Sequence, residues 1–161
     1  MGMNHIATCI PNRHTRIKGI RARLYPANSV SPKAIKAQFR EDARQPSIDR
    51  FVFTGDLLSE PRIQPYIHDI ALTVRYCGKS FTFLVFFKRH KLLPPNQSIQ
   101  NLQGGHMRGD VLVVACGKRV PIRNLRSGLE DRAADRAIKR LTEALNPIET
   151  RRRFPSTISF T

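Results

Sequence analysis

Tryptophan is absent from this 161-residue chain, and acids are scarce: 12 Asp+Glu stand against 28 Lys+Arg, a formal charge of +16. Cysteine is confined to Cys9, Cys77 and Cys116. Three is too few and too odd a number for a disulfide framework, so the chain reads as an intracellular protein kept reduced. Its longest apolar run, Phe81–Phe87, is interrupted by Thr82. That run is far short of the ~20 residues of a membrane span, and no membrane partner is expected. Asn4, His5, Thr8 and Pro11 break the first apolar stretch, so no secretory signal is read there.

Catalytic signatures are missing too. The sequence has no G-x-S-x-G elbow, no Walker loop and no dinucleotide fingerprint. The middle segment offers only Asp56, Glu60 and Asp69 as carboxylates to converge on a metal ion. Cys77-Gly78-Lys79-Ser80-Phe81, with His90 thirteen positions after Cys77, resembles the centre of a two-Cys, two-His zinc finger. Val74 and Pro94 stand where the other two ligands would be, so the tetrahedral set is half empty. Cys-Gly-Lys recurs at Cys116-Gly117-Lys118, and glycine's tolerance of positive φ explains both copies as hairpin turns. A composite site of Cys77, Cys116, His90 and His106 is the residual metal alternative. No cofactor is expected.

What is present is an ordinary apolar share, 40%, with 25% charged residues, which argues for a folded chain rather than a disordered one. Its length suits one domain of roughly 100–200 residues. The charge is uneven: residues 1–50 carry 10 basic and 3 acidic groups, 51–105 carry 6 and 3, and 106–161 carry 12 and 6. The first acid is Glu41. We therefore expect a basic arm over residues 1–30, an α+β domain over 31–148 and a basic tail over 149–161. An Arg-rich, acid-free leader suits a nuclear or cytoplasmic arm, with mitochondrial import as the alternative; Pro11, Pro26 and Pro32 interrupt the long amphipathic helix that import would use.

Along the chain, Ser31-Pro32 signals a helix start, and Ile35 and Phe39 four residues apart predict a short helix over Lys33–Ala43. Phe51-Val52-Phe53 reads as a short strand. Ile70, Leu72, Val74 and Tyr76 alternate at period two, and Phe81–Phe87 returns as a strand apolar on both faces, hence central. Residues 92–107 hold no Lys or Arg and read as an exposed neutral loop. A second hairpin is expected over Val111–Ala115 and Val120–Leu125, with Pro121 keeping the return strand at an edge. Arg108-Gly109-Asp110 reads as the turn into it. The final helix is the best signalled: Ser127 and Glu130 form a capping box, the apolar stripe runs from Leu129 to Leu145, and Asn146-Pro147 stops it. Asp135 and Lys139 are spaced for an i,i+4 pair. The fold expected is α+β: a mainly antiparallel sheet of two hairpins, a short N-terminal helix and a well-capped C-terminal helix. Helix, strands and an Ala-rich final helix (Ala133-Ala134, Ala137) are similar in order to double-stranded-RNA-binding domains, although Glu130 and Asp131 stand where that family has lysines.

Of the 28 cations, 20 are Arg, whose planar fork grips phosphate and stacks on bases. A merely solubilising surface would carry more acids. The expected function is thus a non-enzymatic nucleic-acid-binding protein, RNA ahead of DNA, using phosphate contacts with little sequence reading. The candidate binding residues are Arg13, Arg16, Arg21, Arg23, Arg119, Arg123, Arg126, Arg151, Arg152 and Arg153. The alternatives are an assembly module for an acidic protein partner, or a small metal-dependent hydrolase or nuclease using the histidine loop.

Overall fold

A computed structural model describes residues 17–41, 51–53, 67–117 and 121–145. Six strands form one antiparallel sheet: β1 (Ile17–Tyr25), β2 (Lys33–Glu41), β3 (Phe51–Phe53), β4 (Ile67–Tyr76), β5 (Lys79–Lys88) and β6 (Val111–Ala115), in the order β3-β2-β1-β6-β5-β4. Two helices accompany it, α1 (Gln97–Asn101) and α2 (Leu129–Ala144). The sheet is two three-stranded meanders sharing one seam, where Arg23, Leu24 and Tyr25 of β1 pair with Val113, Leu112 and Val111 of β6. The architecture is α+β with an antiparallel sheet.

The helix expected over Lys33–Ala43 is instead β2. Its apolar residues fit period two as well as a helical stripe: Ala37 and Phe39 are buried and Ile35 half-buried, while Ala34, Lys36, Gln38 and Arg40 face solvent. Eight residues of β1, Ile17 to Leu24, pair with this segment. Strand pairing and a shared apolar face outweigh the local helix preference of Ala, Lys and Gln. With this strand in place, the order no longer matches that of double-stranded-RNA-binding domains. The arm expected over residues 1–30 is likewise sheet from Ile17 to Tyr25; residues 1–16 and the tail 149–161 lie outside the described residues.

β4 and β5 make the expected hairpin, with Tyr76 opposite Lys79 across Cys77-Gly78. Both turn residues have positive φ, 50° and 73°, the signature of the tight turn that matches strand twist. β5 is an interior strand, between β6 and the edge strand β4, and Phe83–Lys88 are buried throughout. The second expected hairpin does not form a return strand among the described residues. Beyond the short β1–β6 seam, residues 123–125 lie between the two strands. Arg123 N–H donates to the Ala115 carbonyl (2.8 Å), and Leu125 N–H to the Arg21 carbonyl (2.9 Å). The Asn124 side chain accepts from Arg21 N–H (2.8 Å).

Apolar residues fill both faces of the sheet. On one, Leu72, Val74, Phe83, Val85, Phe87, Val111 and Val113 meet Ala133, Ala134, Ala137, Ile138 and Leu141 of α2. On the other, Ile20, Ala22, Leu24, Phe39, Leu84, Phe86, Leu112, Val114 and Ile122 cluster. Phe39 of β2 and Phe86 of β5 have ring centroids 5.6 Å apart. Three inter-strand steps of ~4.8 Å separate those strands on a flat sheet, so the sheet curls and this second cluster fills its concave side.

α2 begins one residue later than its sequence box implies. Gly128 is the N-cap, at φ 79°, and Asp131 reaches back to the Gly128 N–H (3.3 Å). Residues 92–107 are not an open loop: Asn96 is fully buried and caps α1, accepting from Ile99 N–H (2.8 Å). Its amide donates to the carbonyls of Tyr25 (2.9 Å) and Gly109 (2.7 Å). Gly109, at φ 73°, makes the turn into β6, and Asp110 accepts from Ala27 N–H (2.7 Å).

Candidate nucleic-acid interface

The arginines singled out from sequence meet the structure unequally. Arg13, Arg16, Arg119, Arg151, Arg152 and Arg153 lie outside the described residues. Arg21, Arg23, Arg123 and Arg126 are brought together around the first turns of α2, and three of them are occupied by its acids. β1 alternation points Arg21, Arg23 and Tyr25 towards the helix. Arg23 grips Asp135 with two hydrogen bonds, 2.8 and 2.9 Å, and Tyr25 donates its hydroxyl to the same carboxylate at 2.8 Å. Arg21 reaches Asp131 at 3.4 Å and also donates to the Leu125 carbonyl. Arg123 grips Glu130 at 2.7 and 3.1 Å, and the Arg126 N–H donates to Glu130 at 2.7 Å. Asp135, expected to pair with Lys139 along the helix, turns to β1 instead.

This lattice is a clamp between sheet and helix. Burial and then the Asp135 charge push the Tyr25 hydroxyl well above its ordinary pKa, keeping it a donor. Burial opposes the Arg23 charge, but the Asp135 carboxylate overrides it and raises the pKa. Glu130 is the mirror case: burial pushes its carboxyl up, while Arg123 and the Arg126 N–H outweigh that and hold it below its ordinary value. Arginine forks already filled by carboxylates are poor phosphate ligands. Arg126 is the exposed member of the four.

Further cations gather elsewhere. An open cavity of about 570 Å³ lies where β5 ends, floored by Phe87, Met107 and Leu145. Among the described residues, every ionisable side chain lining it is basic: Lys88, Arg89, His90, Lys91, His106 and Arg108. Two chain segments build it. The charged run ending β5 supplies four of these residues. The other two follow Gly104-Gly105, held to the last turns of α2 by a Gly105 N–H bond to the Thr142 hydroxyl (2.9 Å). A Cβ on Gly105 would sit 2.3 Å from the Thr142 carbonyl oxygen, so only glycine allows this approach. Leu145, the C-cap of α2, then places the helix's negative end beside the basic cluster.

A second basic feature is the outer stripe of α2. Glu130, Asp131 and Asp135 turn inwards, while Arg132, Arg136, Lys139 and Arg140 stand at i, i+4, i+7 and i+8 with Glu143 beside them. Arg132 and Arg136 are exposed, and Arg136 lies over the Tyr76 ring at 5.9 Å. Lys139 and Arg140 line a shallow pocket with Leu102, Asp135 and Glu143, next to the loop that carries His106. Neither this stripe nor the run Lys88–Lys91 is among the candidate binding residues read from sequence. The legible signals were the helical spacing of the one and the acid-free run of the other.

Cys77 is exposed in its turn and Cys116 half-buried, its thiol pushed up to about 11 by burial. Among the described residues, no group of three His, Cys, Asp or Glu side chains is placed to hold a metal ion. No helix among them is long and apolar enough to cross a membrane. No known protein family, curated protein or solved structure matches the chain.

Proposed function

We propose that this chain is a non-enzymatic nucleic-acid-binding protein that holds the phosphate backbone, RNA ahead of DNA. The observation carrying the reading is the cavity at the end of β5, whose ionisable lining among the described residues is basic throughout. Its mouth presents Arg89, His90 and Lys91 on one side and His106 and Arg108 on the other. Opposed cations of this kind suit a chain of phosphates passing between them, and the apolar floor accepts a base or ribose. The stripe Arg132–Arg136–Lys139–Arg140 extends the positive field along α2, and Arg126 adds to it. The basic ends of the sequence supply further charge. Arg21, Arg23 and Arg123 hold the fold rather than the ligand.

Binding of this kind is dominated by counterion release, so affinity falls steeply with salt. The test is titration of labelled RNA and DNA, single- and double-stranded, across ~50–300 mM salt, for the wild type and for Arg89→Ala/Lys91→Ala. Each lost phosphate contact flattens the slope of log K against log salt by about 0.7–0.9. The double variant is therefore expected to lose close to two such steps and to bind at least tenfold more weakly at low salt. Salt-insensitive binding, or an unchanged slope in the double variant, refutes the reading.

A further inference from the structure

The two edges of the sheet differ. β3 spans three residues, a short edge of the kind that discourages unwanted pairing. β4 spans ten and, among the described residues, has no strand on its outer side. It contains no Pro, Gly or Lys, the residues that usually guard such an edge, and its only acidic or Arg side chains are Asp69 and Arg75. Both are exposed, and they sit three positions either side of the buried Leu72.

We propose that β4 is a self-complementary edge through which two copies of the chain pair antiparallel, with the twofold axis at Leu72. The inference stands apart from the nucleic-acid reading. In that register Asp69 lies opposite Arg75 of the second copy, Arg75 opposite its Asp69, and Ala71 opposite its Thr73. Sliding by two residues in either direction sets Asp69 against Thr73 or Cys77 and loses both charge pairs. The backbone agrees. Tyr76 and Lys79 close the two-residue turn as a hydrogen-bonded pair, so the pairs alternate from there back along β4. The odd-numbered residues Asp69, Ala71, Thr73 and Arg75 therefore aim their N–H and C=O groups outwards. These are the residues that the twofold at Leu72 matches with one another. Such an interface is isologous and closes at two copies, because each edge is used once.

The experiment is sedimentation velocity on the full, nuclease-treated chain from low to high micromolar concentration. A reversible monomer–dimer equilibrium is expected. Asp69→Arg and Arg75→Asp each turn two attractions into two repulsions, and each is expected to weaken dimerisation about tenfold or more. Asp69→Arg/Arg75→Asp restores both pairs and is expected to recover the dimer. An equimolar mixture of the two single variants should do the same by heterodimerisation, covering the case in which the double variant folds poorly. A monomer at all concentrations, a dimer indifferent to either reversal, or failure of both rescues overturns the proposal.

Discussion

Asp135 receives three hydrogen bonds on one carboxylate, two from Arg23 and one from the fully buried Tyr25. Removing it strands a buried hydroxyl and leaves the Arg23 guanidinium only Asp131, at 3.7 Å. Asp135→Ala is therefore expected to cost about 3 kcal/mol in denaturant unfolding, against about 0.5 kcal/mol for an exposed control such as Arg132→Ala. Glu130 sets a pH dependence. Its carboxyl titrates below its ordinary value in the folded chain, so the stabilisation is fully present above the unfolded pKa. It is lost as pH falls through the lower, folded pKa. The wild-type melting temperature should drop as pH is taken below about 4, and Glu130→Gln should fall less steeply over that interval while starting lower at neutral pH. None of these pairings is visible in sequence. Arg23 and Asp135 are 112 positions apart, and residue type alone does not distinguish an arginine that binds phosphate from one that clamps a helix.

At the scale of elements, legibility followed how local the deciding interaction was. The β4–β5 hairpin and α2 were readable because a tight turn and a long apolar stripe are encoded within a few residues of themselves. β2 was not, since Ile35, Ala37 and Phe39 satisfy either period until β1 supplies hydrogen-bond partners along its length. The segment around Asn96 was missed for a related reason. Its polar, proline-bearing composition is that of a loop, yet the Asn96 side chain joins three backbone groups from separate parts of the chain. The seam between this segment and α2 gives a prediction of its own. Gly105→Ala forces a Cβ against the Thr142 backbone, which has no freedom to yield. The loss should be about 1–3 kcal/mol by denaturant unfolding, with faster amide exchange at Gly105 and reduced RNA affinity, because His106 and Arg108 move with the loop.

For the molecule as a whole, the sequence by itself determined the charge surplus, the α+β class, the interior place of β5 and the extent of the final helix. These depend on composition and short-range periodicity, which survive without knowledge of what packs where. Only the tertiary structure decided how the cations divide. The curled sheet carries Arg21, Arg23 and Arg123 to the acids of α2 and neutralises them there. The same packing draws the end of β5 and the Gly104-Gly105 loop around a cavity whose lining, among the described residues, holds no acid. Net charge is a sum over residues and is indifferent to position. A binding surface is a matter of distance, and distances between remote residues exist only once the chain has folded.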